Sequence, residues 1–493
     1  MKFNARWQSQ IKSRPLVFIT LAFFIVIGVW SQLTPLFAAP DEPAGYIRGA
    51  ALVRGKFVGI DIAASQETSY WSTYVDIPQQ FGVAQLVPWC FVGKPDTPAC
   101  SQPLEKLTPV EQPRTDMGRY PPVGYFASGL GSLIGATDFS VRLGRLINAA
   151  VCSFLIALGC INILSNRRSI IVVLAAVTPG VIFFSSVISS SAIEISASIC
   201  LWCSFTTLLS TTKILRLTLS SVAISSSLLT LARPIGVVNV AIIVGISLIA
   251  QAEFKESVAR TISSWRVIVT MATSLTLMIA WYLKIYSHHL GERVVTDPSN
   301  PTFRQIVEQS LSDTSLKISE SIGNFGWLDT PTPTFVAWFF VALFALIIAQ
   351  NWHQVSKANR YAVVCLALMI PFLMIFINRN TQNLLRTYGV QGRYLTPLIA
   401  GIPIIIGAVW VPRKKSAKVI IFGWAVAIFA TAINVIRRYS VGIKPNNFFE
   451  MFSNPIWQPP LGVLGTMLAL AVALTIFSSI FYTIATSDLE NSR

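Results

Sequence analysis

Two adjacent acids, Asp41 and Glu42, stand in the stretch PLFAAPDEPAGYIRG, fenced by Pro40 and Pro43. About twenty apolar residues precede them, enough to cross a bilayer. A carboxylate pair can take a proton from a hydroxyl or share a cation, because mutual repulsion tends to raise one pKa. The same acids could instead cap a helix, facing the positive end of its dipole. Their place at the exit of an apolar segment favours chemistry, since an uncompensated charge is disfavoured near lipid. Other ionisable groups fall at a similar depth. Glu194 opens a second apolar block, and Arg142 and Arg145, three apart, share one helix face. Arg233 precedes Pro234, and Arg379, Arg386 and Arg393 crowd the stretch NRNTQNLLRTYGVQGRYLTP. Arginine forks match phosphate oxygens, so acids and cations together point to a lipid-linked anion. Snorkelling to headgroups is the plainer reading of Arg142 and Arg145.

The elements that must position these groups are membrane spans. The chain has 493 residues, 53% hydrophobic and only 12% charged, against roughly 25% charged in a soluble domain. Apolar blocks occupy 15–37, 141–164, 169–187, 195–212, 217–231, 235–250, 267–286, 333–350, 361–378, 395–411, 418–436 and 461–484. The expectation is an all-α polytopic membrane protein of about 12 transmembrane helices. The alternating ten-residue segments of a membrane β-barrel do not occur. The first block carries no small-residue cleavage site and reads as a retained span. Pro234, in ARPIG, predicts a turn or sharp break between the fifth and sixth blocks.

Lys and Arg cluster in alternate connections, such as SNRR, KILR and PRKKSAK, which places those loops in the cytoplasm. On that topology 1–14 and 485–493 are cytoplasmic, and 15–484 is a single transmembrane domain in a bacterial cytoplasmic membrane. The net charge of +16 is largely spent on topology, and no concentrated basic face suggests nucleic acid. Acids are lopsided the other way: only Glu253, Glu256, Asp488 and Glu490 fall inside, so polar chemistry belongs to the outer face. The largest extramembrane piece, 38–140, is too long for a plain connector and is expected to be folded. Two short helices are predicted within it, over PAGYIRGAALVRG and YPPVGYFASGLGSLIGA, the second with Tyr120, Tyr125 and Phe126 at headgroup level. Cys90 and Cys100 lie in the same piece, where an oxidising compartment would allow a disulfide; the alternative is two free thiols. Cys200 and Cys203, inside an apolar block, read as packing.

The ordered set PDEPAGYIRGAALVRG, RYPPVGYF, RLGRLIN, TPGVIFFSSVISSSAIEIS, IGNFGWLDTPTP and GVQGRYLTPL resembles the bacterial domain-of-unknown-function 2142 family (DUF2142) over roughly 15–480. That family is similar to the glycosyltransferase-C (GT-C) superfold, polytopic enzymes with a large first outer loop and an acidic motif after the first span. The resemblance implies transfer of a sugar from a polyprenyl-phosphate donor to a cell-envelope glycan, lipid or protein acceptor. It implies that Asp41 or Glu42 is a general base, with Glu194 the second outer acid. Arg393, Arg386, Arg233, Arg142 and Arg145 are then candidate phosphate binders. Asp41, Glu42 and Glu194 are also the candidate ligands of a divalent cation, Mg²⁺ or Mn²⁺. Where the family pattern PDExxH has histidine, this chain has Gly45. Two other readings are a flippase or transporter of lipid-linked intermediates and a non-catalytic protein of envelope assembly. A transporter usually keeps its polar groups near mid-membrane and has repeated halves, neither of which this sequence has.

Overall fold

The computed structural model describes residues 5–491 except 63–71, 101, 167, 212–214, 252, 290–300, 386 and 444–447. Every apolar block of the sequence is helical. Among the described residues seven helices are long and apolar enough to cross a bilayer: Asp138–Ser165, Ser190–Ser210, Trp265–Lys284, Thr334–Asn351, Lys357–Gln382, Lys414–Ser440 and Gly462–Thr486. Arg6–Ser13 and Pro15–Trp30, bent by 100°, bring the number to as many as eight. The protein is an all-α multi-pass membrane protein.

The remaining blocks are shorter or broken, and proline explains most of the breaks. The fifth and sixth blocks end at Ala232 and restart at Gly236, on either side of Pro234. The block expected as one span over 169–187 is two short helices, Ile171–Ala176 and Pro179–Ser185. Pro179 cannot continue the first helix, and Thr178 caps the second by accepting the Val181 N–H at 3.4 Å. The block over 395–411 likewise divides into Thr396–Ile399 and Gly401–Ile406, each with a proline near its start.

Ser190–Ser210 is the axis of the bundle. All but its last residue is buried, and it packs against Asp138–Ser165, Arg216–Ala232 and Gly236–Ile249. Some of its hydroxyls are satisfied within the helix, Ser198 donating to the Glu194 carbonyl at 2.7 Å and Thr206 to that of Trp202 at 2.6 Å, while Thr207 donates to the Asn162 carbonyl of a neighbouring helix.

The segment between the first two long helices is folded onto one end of this bundle. Glu42–Leu52 begins with Pro43 in its first turn and gives way to Gly55 at φ +77°. It crosses Val123–Gly129 at two glycines: a Cβ on Gly49 would stand 2.9 Å from the Gly129 Cα. Tyr46 closes the packing through a 2.6 Å hydrogen bond with Ser140. A three-stranded antiparallel sheet of Ile60–Asp61, Thr73–Tyr74 and Arg114–Thr115 lies beyond. Tyr125, expected at headgroup level, points inward instead: it is buried and bonded to Ser190. Phe126, its neighbour, is exposed.

Cys90 and Cys100 are joined in a disulfide. The loop they close is seated on the end of Lys414–Ser440, with the Ala99 N–H donating to the Tyr439 carbonyl at 2.9 Å. The stretch FGWLDTPTP forms a hairpin, Asn324–Phe325 with Thr330–Pro331, at the same end.

Candidate functional site

Asp41 sits at the N-cap position of Glu42–Leu52 yet makes no capping hydrogen bond. Its backbone is left-handed, φ +65°, a conformation that costs energy in any residue other than glycine. The carboxylate reaches instead across the bundle end to Arg393, 352 residues away, whose Nη2 donates to Oδ2 at 2.7 Å. The Asp41 side chain is 44% exposed. It lines a cleft of about 420 Å³ together with Gln85, Trp89, Asp116 and Trp327. Helix capping, the plainer reading of this acid, is not what it does.

Glu42 does something different. Its side chain is fully buried and grips Arg145 through two parallel bonds, Nε to Oε1 and Nη2 to Oε2, both 2.7 Å. Oε1 also accepts the Ile188 N–H at 3.0 Å. The remaining Arg145 donors go to carbonyls of Ser31, Thr34 and Pro35, so this guanidinium binds the link after the first helix. The pair is saturated and shut off from solvent. This corrects the expected catalytic role of Glu42 and the expected phosphate role of Arg145. It also removes the argument from carboxylate repulsion, because each of the adjacent acids has its own arginine.

Arg393 and Arg233 meet on the ring of Tyr394, with guanidinium carbons 5.2 Å and 4.7 Å from its centroid. Arg233 donates from Nη1 to Glu194 Oε2 at 3.0 Å and to Ser191 Oγ at 3.1 Å. Asn239 holds the other Glu194 oxygen at 2.9 Å. Asp41, Arg393, Tyr394, Arg233 and Glu194 thus form one connected set, drawn from four separate regions of the chain. Burial works against the charge on Arg393, but Tyr394 and Asp41 outweigh it and hold the guanidinium above its ordinary value. Arg233 is held up likewise, chiefly by Glu194 against the pull of burial. Burial raises the Tyr394 phenol, and the two arginines more than reverse that, leaving it below its ordinary value. The Nε of Arg393 is buried without a partner. A buried guanidinium with a donor to spare suits an anion.

The other candidates fall elsewhere. Arg142 donates to Gln32 Oε1 at 2.9 Å and takes no part in the connected set. Arg386 lies outside the described residues. The expected divalent-cation site of Asp41, Glu42 and Glu194 does not fit the donors: Glu42 is spent on Arg145, and Glu194 on Arg233 and Asn239. Three carboxylates each facing a guanidinium are not a cation cage. Among the described residues no three of His, Cys, Asp and Glu come together as metal ligands.

Sequence reasoning missed Tyr394, Asn239 and Arg438. Tyr394 had a signal, standing beside Arg393 in QGRYLTP. Asn239 had a weaker one, as an amide inside an apolar helix. Arg438 is buried at the end of Lys414–Ser440, with Nη2 on Asp329 at 2.8 Å.

A family model described as a predicted membrane protein, DUF2142, matches residues 23–402. No curated protein matches the sequence. Among solved structures, ArnT from Cupriavidus metallidurans bound to undecaprenyl phosphate is similar, with a TM-score of 0.47 and 11% identity over 96% of this chain and 77% of that one. The same protein in the apo state gives a TM-score of 0.47 and 11% identity over 97% and 77%.

Proposed function

The chain belongs to the DUF2142 family of predicted membrane proteins, and from that membership we propose that it is a membrane-embedded glycosyltransferase. It moves a sugar from a polyprenyl phosphate to a cell-envelope glycan, lipid or protein acceptor at the bundle end that carries Asp41. The observation that carries this reading is Asp41 on the wall of an open cleft, paired with the buried Arg393, which is joined through Tyr394 to Arg233.

Asp41 is the only carboxylate of the connected set with substantial exposure, and so the one able to take the proton of an acceptor hydroxyl. The acceptor oxygen forms its bond to the anomeric carbon as the bond from that carbon to the phosphate oxygen breaks. Negative charge gathers on the departing lipid phosphate. Arg393 and Arg233, fixed by their partners and permanently cationic, stabilise it without reorganising. A phosphate competes with Asp41 for the same Arg393 fork, so a loaded donor releases the carboxylate to act as base. A single displacement inverts the anomeric centre. No step passes through a metal ion, for the donor set does not suit one.

The test uses the full chain in proteoliposomes with radiolabelled polyprenyl-phosphate sugars and envelope acceptors. Asp41→Asn is expected to lower transfer by at least about 10²-fold, the lower range for loss of a general base, while still binding undecaprenyl phosphate. Arg393→Ala is expected to lose that binding. Parental transfer rates in Asp41→Asn would remove Asp41 from the reaction.

A further inference from the structure

The cleft beside Asp41 has two aromatic walls that the transfer step itself does not use. Trp89 stands on the short 3₁₀ turn Val87–Cys90 and is 70% exposed, an unusual state for so large an apolar ring. Trp327, on the lining of the same cleft, belongs to the hairpin, and its indole N–H is fixed on the Phe37 carbonyl at 3.0 Å. Among the described residues its polar lining is Asp41, Gln85 and Asp116.

One buried residue ties the two walls together. Arg438 donates from Nη2 to the Phe91 carbonyl, two residues past Trp89, and to Asp329, two residues past Trp327, both at 2.8 Å. Its Nη1 holds the Thr97 carbonyl, inside the disulfide loop, at 2.6 Å. A single planar fork therefore sets the position of both indoles.

The lining selects its occupant by elimination. Carboxylates only accept hydrogen bonds, so the ligand must bring donors. A phosphate would face two acids here, whereas on the far side of Asp41 it finds Arg393. An acyl chain would strip water from the charged Asp41 and Asp116 carboxylates, whose existing partners, Arg393 and Ser72, leave oxygens that hydrocarbon cannot satisfy. A pyranose ring meets every demand: hydroxyl donors around its edge and apolar C–H faces for the indoles. The volume of about 420 Å³ lies within the span of small-molecule sites, roughly 300–1,000 Å³.

We infer that this cleft is a saccharide subsite, with Trp89 and Trp327 as its walls, Asp116 and Gln85 as partners of ring hydroxyls, and Arg438 as the residue positioning both walls. The inference rests on the reading of Asp41 as the base of a sugar transfer, because the subsite opens onto that carboxylate.

The experiment takes the full chain in lipid nanodiscs, labelled with 5-fluorotryptophan, with the Trp89, Trp327 and Trp424 lines assigned from single Trp→Phe variants. Methyl glycosides of glucose, galactose, mannose, rhamnose and N-acetylglucosamine are titrated to about 100 mM, enough to reveal millimolar dissociation constants. At least one glycoside is expected to shift the Trp89 and Trp327 lines saturably and to leave the buried Trp424 unmoved. Asp116→Asn should weaken that response about tenfold, the loss of a charge-assisted hydrogen bond. Arg438→Gln should weaken it as much while undecaprenyl phosphate binding stays at the parental level; a merely structural role would lower both together. The inference is overturned if no glycoside moves either line, or if the Trp89 line responds to spin-labelled lipid and not to glycosides, which would make it a membrane anchor. Lipid phosphate binding without a glycoside response sinks the subsite alone. Glycoside binding with undiminished transfer in Asp41→Asn sinks the transferase reading alone.

Discussion

Glu42 and Arg145 bury opposite charges completely, and both are fully hydrogen-bonded. Removing one member of such a pair leaves the other charged, unpaired and dry, which costs about 3–5 kcal/mol. Glu42→Gln is therefore expected to lower the unfolding temperature sharply in detergent, and the double change Glu42→Leu with Arg145→Met to recover much of the loss. A Glu42→Gln protein as stable as the parent but inactive in transfer would return Glu42 to the catalytic set. Gly45 is a second residue-level case. A Cβ there would stand 3.1 Å from both the Ile188 carbonyl and the Tyr125 ring. That is tighter than an ordinary contact, so a histidine here requires the Ile188 carbonyl or the Tyr125 ring to shift. Gly45→His is expected to destabilise the fold by about 1–3 kcal/mol, as overpacking does, and to confer no metal dependence; thermal unfolding with and without Mn²⁺ checks both.

At the scale of elements, the disulfide loop is held at both ends of its short span, by Cys90–Cys100 and by the Lys414–Ser440 helix end beneath it. Cys100→Ser is expected to remove about 2–4 kcal/mol of stabilisation, the usual worth of such a crosslink. Faster amide exchange confined to residues 91–99 would report it, and uniform exchange across the bundle would contradict a local role. The broken helices follow the same logic of local cause. Pro179 and Pro234 interrupt apolar blocks of adequate total length: Arg233 of the connected set stands in the second break, and the short helix that follows the first carries Phe184, whose ring packs 5.6 Å from the Arg393 guanidinium. Breaks of this kind free backbone and side chains to build a polar site at the end of an apolar bundle.

For the whole molecule, the distribution of basic residues predicts that the cleft opens on the non-cytoplasmic face. In a Cys365→Ser background, a membrane-impermeant maleimide should label Lys94→Cys in intact cells and Lys415→Cys only after lysis. The reverse pattern would put the site in the cytoplasm and exclude an extracytoplasmic acceptor. Helicity, the apolar blocks, the break at Pro234 and the two short helices of the first segment were legible in the residues, because hydropathy and backbone propensity act between near neighbours, whereas the divisions within 169–187 and 395–411 were not expected. The identities of Asp41, Arg393, Arg233 and Glu194 as candidates were legible too, since charge at membrane depth is rare. Their pairing was not. Asp41 and Glu42 are adjacent in the chain and chemically alike, yet one faces a cleft and the other is sealed against Arg145. Only the tertiary structure decided which arginine each received. Ion-pair partners depend on burial and on contacts hundreds of residues apart, and no local rule encodes those.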